Sequence, residues 1–193
     1  MEVRHFIFEE DIQKRVEELG EEITEADPDI LVGVLNGASI FMSDLVRNIR
    51  KNVQIDYIKV SSYGSGTTSG RLRFERDITI DVDGKNVIIV EDIIDTGKSM
   101  KFLLDYFALK GAASVEVCTF LSKPSRREVD VEADYVGFSI DNLYVVGYGL
   151  DDGGSYRNLP YVGYKKELKK WIKEECFNHQ YSTNFNQKYC KYK

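Results

Sequence analysis

The fold is decided by residues 87–99, which read VIIVEDIIDTGKS. The stretch opens with an apolar, β-branched run, which is typical of a parallel strand buried on both faces. Two acidic residues and a small polar turn follow, and a helical pattern then runs from Met100 to Lys110 until Gly111 ends it. The stretch therefore predicts a strand, a tight turn and a helix, the unit from which α/β proteins are built.

The same kind of unit occurs earlier in the chain. Ile30–Leu35 is an apolar run, Asn36–Ser39 breaks it, and Ile40–Ile49 resumes a helical pattern. Glu9–Ala26 also has helical spacing. Further strands are predicted at residues 53–60, 71–80 (an edge strand), 114–121, 135–140 and 144–149. This alternation predicts an α/β fold with a mostly parallel central sheet flanked by helices.

Charge is distributed unevenly along the 193 residues. The chain carries 26 Lys and Arg against 32 Asp and Glu, a net charge of −6. Residues 165–193 hold eight Lys and three Glu, so residues 1–164 carry −11. An acidic body argues against a protein that coats nucleic acid, because such binding neutralises phosphates with Lys and Arg. We expect one domain over residues 1–164 and a basic C-terminal extension over 165–193, with a short helix and then a frayed end.

The cysteines and the apolar runs bear on the compartment. The chain has 3 Cys without a C-x-x-C pair, and no apolar run reaches the length of a membrane span or a signal h-region. These features predict a cytoplasmic protein with reduced thiols that neither spans a membrane nor binds zinc.

The polar turn at Asp95–Ser99 predicts a site for a phosphate group. Ligands of parallel α/β sheets bind at the carboxyl ends of the strands, and a helix N-terminus offers unpaired N–H groups there. The hydroxyls of Thr96 and Ser99 add donors, and Gly97 lets the backbone approach the ligand closely. A phosphate can therefore be held without a surplus of basic side chains.

The carboxylates around this turn indicate which phosphate it binds. The ending Gly-Lys-Ser is shared with nucleotide-triphosphate P-loops, but Asp92 stands where that motif needs glycine, and three carboxylates would repel a polyphosphate. Glu91 and Asp92 are better suited to accept hydrogen bonds from the vicinal hydroxyls of a ribose. Asp95 is placed to exchange a proton with a reacting group. The alternative is that these acids only cap the following helix.

The stretch at 87–99 resembles the signature with which type I phosphoribosyltransferases bind phosphoribosyl pyrophosphate (PRPP). More narrowly, residues 32–163 resemble the hypoxanthine-guanine phosphoribosyltransferases. The matching motifs occur in that family's order: LNG at 35–37, SSYG at 61–64, the PRPP signature, KPSRRE at 123–128, YVGF at 135–138, VVGYGLD at 145–151 and YRNLP at 156–160. The resemblance implies the type I fold, with a small subdomain called the hood and a flexible lid loop at about 61–76.

The resemblance also implies roles for individual residues in binding PRPP. Glu91 and Asp92 would face the ribose hydroxyls directly or through Mg²⁺, and Asp95 would take and return the proton at N7 of the purine. The 5′-phosphate would lie on the turn, formed by Asp95, Thr96, Gly97, Lys98 and Ser99. Pyrophosphate would lie against Leu35, Asn36 and Gly37, the lid residues Ser62 and Tyr63, and Arg157.

The pyrophosphate loop of this family contains a cis non-proline peptide bond. Asn36 departs from the family's frequent pattern, because many members carry Lys or Arg at this position. Backbone N–H groups can still contact pyrophosphate, so the departure bears on the affinity for PRPP more than on identity.

The purine site is implied in the same way. Lys123 would donate to the exocyclic oxygen of a 6-oxopurine, Tyr144 would stack on the base, and the backbone at Val145 would meet the base edge. Asp151 would lie beside the purine and bind a second Mg²⁺ through water, so that two ions are expected in the closed complex. By contrast, Arg126, Arg127 and Glu128 are expected to form a solvated turn or a subunit contact.

The implied function is purine salvage, the transfer of phosphoribose from PRPP to N9 of hypoxanthine or guanine. The products would be IMP or GMP and pyrophosphate, and the enzyme would be a homodimer or homotetramer with no nucleic-acid or membrane partner. Two alternatives stay open: a PRPP-sensing regulator that binds RNA with the same fold, and a transferase that prefers xanthine.

Overall fold

The structure is a computed structural model, and it describes residues 3–63 and 71–165, without the side chains of residues 62, 63, 71 and 165. The helices are α1 (Glu9–Ala26), α2 (Ser39–Asn48) and α3 (Lys98–Leu109), with a 3₁₀ turn at Pro124–Arg126. The strands are β1 (Val3–Ile7), β2 (Ile30–Val34), β3 (Gln54–Tyr63), β4 (Arg71–Arg76), β5 (Asn86–Ile94), β6 (Ser114–Ser122), β7 (Tyr135–Ser139), β8 (Val145–Val146) and β9 (Val162–Lys165).

The main sheet has six strands in the order β4-β3-β2-β5-β6-β7. Strands β3, β2, β5, β6 and β7 are parallel, and β4 pairs antiparallel with β3 at the edge. The predicted α/β fold with a mostly parallel sheet flanked by helices is confirmed, as is the edge position of the strand that begins at Arg71. The tip of the predicted lid, residues 64–70, and almost all of the predicted C-terminal extension lie outside the described residues.

The central strands are buried on both faces, as their continuous apolar sequences predict. All five residues of β2 are buried, and alternate side chains point to opposite faces of the sheet. Leu31 packs in the core with α1 and α2, whereas Ile30 and Val32 pack on the other face with α3. Helix α1 buries a stripe of apolar residues at Ile12, Val16, Leu19 and Ile23. The parallel strands therefore end together at one edge, where a site can form.

A three-stranded antiparallel sheet of order β1-β9-β8 forms the hood. The sequence did not predict β1 or β9, and the strand predicted at 144–149 is reduced to Val145 and Val146. Beyond them the backbone turns, because Gly147, Tyr148 and Gly149 all have positive φ, at 98°, 49° and 99°. The motif at 145–151 is therefore mainly a tight loop rather than a strand.

A buried carboxylate fixes the turn that joins β4 to β5. Asp56 on β3 is 4% exposed and accepts hydrogen bonds from the N–H of Thr79 and of Ile80 and from the Thr79 hydroxyl. Burial alone would raise the pKa of Asp56, but these donors and the N–H of Tyr57 together lower it.

Within the described residues no helix is long and apolar enough to cross a membrane.

Candidate active site

Three loops meet at the carboxyl ends of β2, β5 and β6. They are the loop at 35–38, the turn at 95–97 and the turn at 123–127. The N–H of Leu35 donates to the carbonyl of Ile58 at 2.8 Å, and the N–H of Lys123 donates to the carbonyl of Ile94 at 3.0 Å. The loops at 35–38 and 123–127 are thus each anchored to a neighbouring strand of the sheet.

The phosphate turn has the backbone geometry of an anion site. Gly97 precedes α3 with φ of 84°, a left-handed conformation that favours glycine. A Cβ added there would lie 3.0 Å from a methyl group of Val129, so the turn is also tightly packed. The side chain of Lys98 forms an ion pair with Glu128 at 2.5 Å, while Ser99 is exposed in the first turn of the helix. The backbone N–H groups at the start of α3 are therefore the main groups with which this turn can bind a phosphate.

Strand β5 is longer than predicted and carries Glu91 and Asp92 within its paired part. Glu91 is in register with Thr119, and the pairing continues to Ile94. Their carboxylates accept hydrogen bonds along the strand: the N–H of Asp92 donates to Glu91 at 3.0 Å, and that of Ile93 donates to Asp92 at 2.7 Å. Neither of these contacts caps a helix, so the capping alternative fails for this pair.

The two adjacent carboxylates are costly to ionise together. Burial raises the pKa of Glu91 well above its ordinary value, and the carboxylate of Asp92 adds to that shift. Burial also raises the pKa of Asp92, although the hydrogen bond with Glu91 and the positive charge of Arg157 oppose that shift. A cation or a set of hydroxyl donors at this point would relieve the unfavourable charge.

The predicted pyrophosphate loop lies directly against this pair. The peptide bond between Leu35 and Asn36 is cis, which agrees with the resemblance. Ser39 donates from its hydroxyl to the carbonyl of Asn36 at 2.8 Å, while the Asn36 side chain is exposed. Gly37 is buried, and a Cβ there would lie only 1.5 Å from Oδ2 of Asp92. Only glycine therefore fits at this contact without a shift of the loop or of Asp92.

Asp95 faces basic side chains from the turn that follows β6. Its carboxylate accepts a hydrogen bond from Nε of Arg126 at 3.0 Å and lies 3.8 Å from Nζ of Lys123. Lys123 is only 6% exposed. Burial lowers the pKa of Lys123, and the Asp95 carboxylate opposes that shift. The structure thus brings together the two residues predicted to handle the purine proton and the 6-oxo group.

Arg127 is a residue of the site that sequence reasoning missed; of the two expectations for it, a solvated turn or a subunit contact, the solvated turn is wrong for its side chain. Its guanidinium is half-buried and donates to the carbonyl of Asp95 at 2.7 Å, to the carbonyl of Lys123 at 3.3 Å and to the hydroxyl of Ser122 at 2.8 Å. It also donates to the carbonyls of Ile94 and Val131. One side chain therefore links the phosphate turn to the purine turn.

Known proteins match this chain over most of its length. The model of the phosphoribosyl transferase domain family matches residues 7–153. The hypoxanthine-guanine phosphoribosyltransferase of Bacillus subtilis is 44% identical over 164 residues, which cover 83% of this chain and 91% of that protein. The enzyme of that name from Streptococcus agalactiae serotype V is 48% identical over 164 residues, 82% of this chain and 91% of the relative.

The chain belongs to the hypoxanthine-guanine phosphoribosyltransferase family. A crystal structure of a family member from Bacillus anthracis superimposes with a TM-score of 0.82 at 42% identity, covering 86% of this chain and all of that one. Two relatives from Listeria monocytogenes are longer proteins, named "Bifunctional protein TilS/HprT", and the chain covers 25% of their length at 44% identity.

The remaining residues singled out by the family resemblance lie around the hood. Tyr144 is 58% exposed, and its hydroxyl donates to Asp152 at 3.0 Å. Val145 is buried in β8. Arg157 forms an ion pair with Asp151 at 2.7 Å. Tyr144 thus has a side chain that is largely exposed, and the charge of Asp151 is balanced by the guanidinium of Arg157.

The predicted lid contacts and the predicted Mg²⁺ sites are not among these contacts. The backbones of Ser62 and Tyr63 end β3, but their side chains and the lid tip lie outside the described residues. In the part of the chain that is described, no group of three or more His, Cys, Asp and Glu side chains forms a ready-made metal site. The placement of Mg²⁺ at Glu91, Asp92 and Asp151 stays a prediction.

Proposed function

We propose that the protein transfers the 5-phosphoribosyl group of PRPP to N9 of hypoxanthine or guanine in a Mg²⁺-dependent reaction, giving IMP or GMP and pyrophosphate. The observation that carries this proposal is the contact between Lys123 and Asp95, with the phosphate turn on one side and the loop at 35–37 on the other. A purine bound between them would have its 6-position and N7 next to these two side chains.

The phosphate turn orients the sugar. The amides at the N-terminus of α3 bind the 5′-phosphate, and the hydroxyls of Thr96 and Ser99 add donors to it. Glu91 and Asp92 accept hydrogen bonds from the ribose hydroxyls. Because PRPP is held both at its 5′-phosphate and at its ribose hydroxyls, C1 faces the purine in one orientation. This lowers the entropic cost of the reaction.

Asp95 carries the proton. As N9 attacks C1, the bond from C1 to the pyrophosphate oxygen breaks, and the purine must lose the proton at N7. The Asp95 carboxylate accepts that proton, and Arg126 and Lys123 hold the carboxylate in place. Pyrophosphate leaves along the loop at 35–37.

Lys123 selects the base. Its ammonium group only donates hydrogen bonds, so it matches the 6-oxo group of hypoxanthine and guanine. The 6-amino group of adenine would present a donor to a donor in a buried position, and such a mismatch discriminates strongly. Tyr144 would stack on the purine, and the backbone of Val145 would read the base edge.

The acidic residues fit Mg²⁺, which binds oxygen ligands and keeps part of its water shell. Glu91 and Asp92 are adjacent and half-buried with raised pKa values, so a divalent cation there would offset unfavourable charge. Asp151 would hold a second ion through water if Arg157 turned toward pyrophosphate. When bound, Mg²⁺ neutralises the charge of the leaving pyrophosphate.

The two alternatives make different demands on the same residues. A PRPP-sensing RNA-binding regulator would need a basic surface, whereas residues 1–164 carry −11. A xanthine-preferring transferase would differ in contacts to position 2 of the purine.

The proposal includes the compartment and the assembly: the protein acts in the cytoplasm as a homodimer or homotetramer.

One experiment separates these functions. The protein is mixed with PRPP and Mg²⁺, each of hypoxanthine, guanine, xanthine, adenine and uracil is added separately, and pyrophosphate release is measured. We expect release with hypoxanthine and guanine and little with adenine or uracil. Release only with xanthine would support the second alternative, and no release with any 6-oxopurine would refute the enzyme assignment.

A further inference from the structure

Tyr148 stands out because a bulky residue adopts a backbone conformation that favours glycine. Its φ is 49°, and it lies between two glycines that also have positive φ. Its ring is buried against Phe120, with ring centroids 4.7 Å apart. A non-glycine residue in this region of φ is disfavoured and persists only where its surroundings fix it. The contacts of Tyr148 must therefore fix this backbone conformation.

The phenol of Tyr148 reaches the helix that follows the pyrophosphate loop. Its hydroxyl donates to Oδ2 of Asp44 in α2 at 2.7 Å, and Asp44 also pairs with Arg47. Burial and this hydrogen bond raise the pKa of Tyr148. Helix α2 begins at Ser39, so Asp44 lies little more than one turn from the loop at 35–38.

The residue after Tyr148 touches the loop itself. A Cβ on Gly149 would lie 2.1 Å from the carbonyl oxygen of Gly37, so the two backbones are in close contact. Gly37 in turn lies against Asp92. Gly149 also accepts a hydrogen bond from Arg157, and its N–H donates to the Arg157 carbonyl at 3.0 Å. The hood loop thus meets the pyrophosphate loop at Gly149 and the following helix at Tyr148.

From this geometry we infer that Tyr148 is a positioning residue for the pyrophosphate loop. The Tyr148–Asp44 hydrogen bond holds α2 in register with the hood loop, and so fixes the carbonyl of Gly37 against Gly149 and the backbone of Gly37 against Asp92. The inference rests on the proposed function for its kinetic consequence, because the loop is taken to bind the pyrophosphate of PRPP.

The test uses Tyr148→Phe, which keeps the buried ring and removes only the hydrogen bond. Both partners line a groove of about 590 Å³ between α1 and α2, so water can replace the lost hydroxyl and the variant is expected to fold. We expect KM for PRPP to rise roughly three- to tenfold, as for one hydrogen bond that water partly replaces, with KM for hypoxanthine within about twofold of wild type.

Two further variants make the test specific. Asp44→Asn keeps an oxygen acceptor for the phenol and should leave KM for PRPP within about twofold of wild type. Tyr135→Phe is the matched control, because the Tyr135 hydroxyl donates to Glu116 at 2.8 Å, a similar tyrosine–carboxylate bond away from the site. It should leave KM for PRPP unchanged.

A second readout does not depend on activity. The N–H of Ala38 donates to the carbonyl of Val34, and that of Ser39 donates to Asn36. Hydrogen exchange of the peptide spanning residues 35–39 should be at least about threefold faster in Tyr148→Phe than in wild type, and unchanged in Tyr135→Phe. Unchanged exchange in Tyr148→Phe would overturn the inference, as would lower thermal stability with unchanged KM for PRPP. Lack of pyrophosphate release by the wild type would refute the proposed function and leave the exchange comparison valid.

Discussion

Replacing Arg127 by methionine should uncouple the phosphate turn from the purine turn. Methionine matches the aliphatic stem of arginine and keeps its apolar contacts, but it donates no hydrogen bonds. The carbonyl of Asp95 loses the donor at 2.7 Å, and the hydroxyl of Ser122 loses the donor at 2.8 Å. The carbonyl of Ile94 keeps the N–H of Lys123 as a partner.

The size of the effect follows from these contacts. A hydrogen bond from a charged donor contributes roughly 1.5–3 kcal/mol, and water partly replaces the donor because the side chain is only half-buried. We therefore expect the free energy that holds the two turns in their ordered conformation to fall by about 2–3 kcal/mol. At about 1.4 kcal/mol per tenfold, kcat/KM should fall roughly 30- to 150-fold.

The assay is initial-rate pyrophosphate release with PRPP and hypoxanthine, together with the thermal midpoint of unfolding. Arg127→Lys should lie between wild type and Arg127→Met, because one ammonium group cannot reach all five acceptors. Arg15→Met is the matched control, since Arg15 also donates to backbone carbonyls, those of Val136 and Gly137, but these lie on β7, outside the three loops of the site. Wild-type kinetics in folded Arg127→Met, or an equal kinetic loss in Arg15→Met, would refute the coupling role.

Three further predictions concern the loop and the edge of the sheet. Asn36→Lys should lower KM for PRPP with little change in kcat, because a cation would then face pyrophosphate; an unchanged or raised KM would count against this role. Gly37→Ala should reduce kcat/KM by at least about tenfold with the fold retained, since its Cβ would lie 1.5 Å from Asp92, and normal kinetics would contradict that contact. Asp56 has a lowered pKa, so its contribution to stability is present above the unfolded pKa of about 3.9 and is lost as pH falls through the folded value. Asp56→Asn should therefore lose roughly 1–3 kcal/mol in denaturant unfolding at pH 7 and less near pH 3, below the unfolded pKa, whereas an equal loss at both pH values would contradict the charge argument.

The parts of the fold with long periodic sequences could be predicted from the sequence. Helix α1 was predicted at its observed bounds, and the buried strands were recognised from continuous apolar runs. Strands β1 and β9 were not predicted, because each is short and is stabilised only by pairing with distant parts of the chain. The strand predicted at 144–149 was wrong beyond Val146, because two glycines and a left-handed tyrosine turn the backbone.

The site divides in the same way between local and non-local signals. The phosphate turn is a local feature, so its residues could be recognised from the order of strand, turn and helix. Arg127 could not, because in sequence it belongs to a charged stretch that looks solvated. Its role depends on the 3₁₀ turn at Pro124–Arg126, which directs the guanidinium back to β5. Tyr148 was hidden for a similar reason, since its partner Asp44 is 104 residues away.

The most direct test of the central claim is to compare wild type with Asp95→Asn in the reaction of PRPP with hypoxanthine. Asparagine keeps the shape of the side chain and an oxygen for Arg126 and Lys123, but it cannot accept the N7 proton. We predict that the wild type releases pyrophosphate, that kcat of the variant falls at least about 100-fold, and that calorimetric affinity for PRPP stays within about twofold. An undiminished kcat in Asp95→Asn, or no release by the wild type with any 6-oxopurine, would contradict the claim.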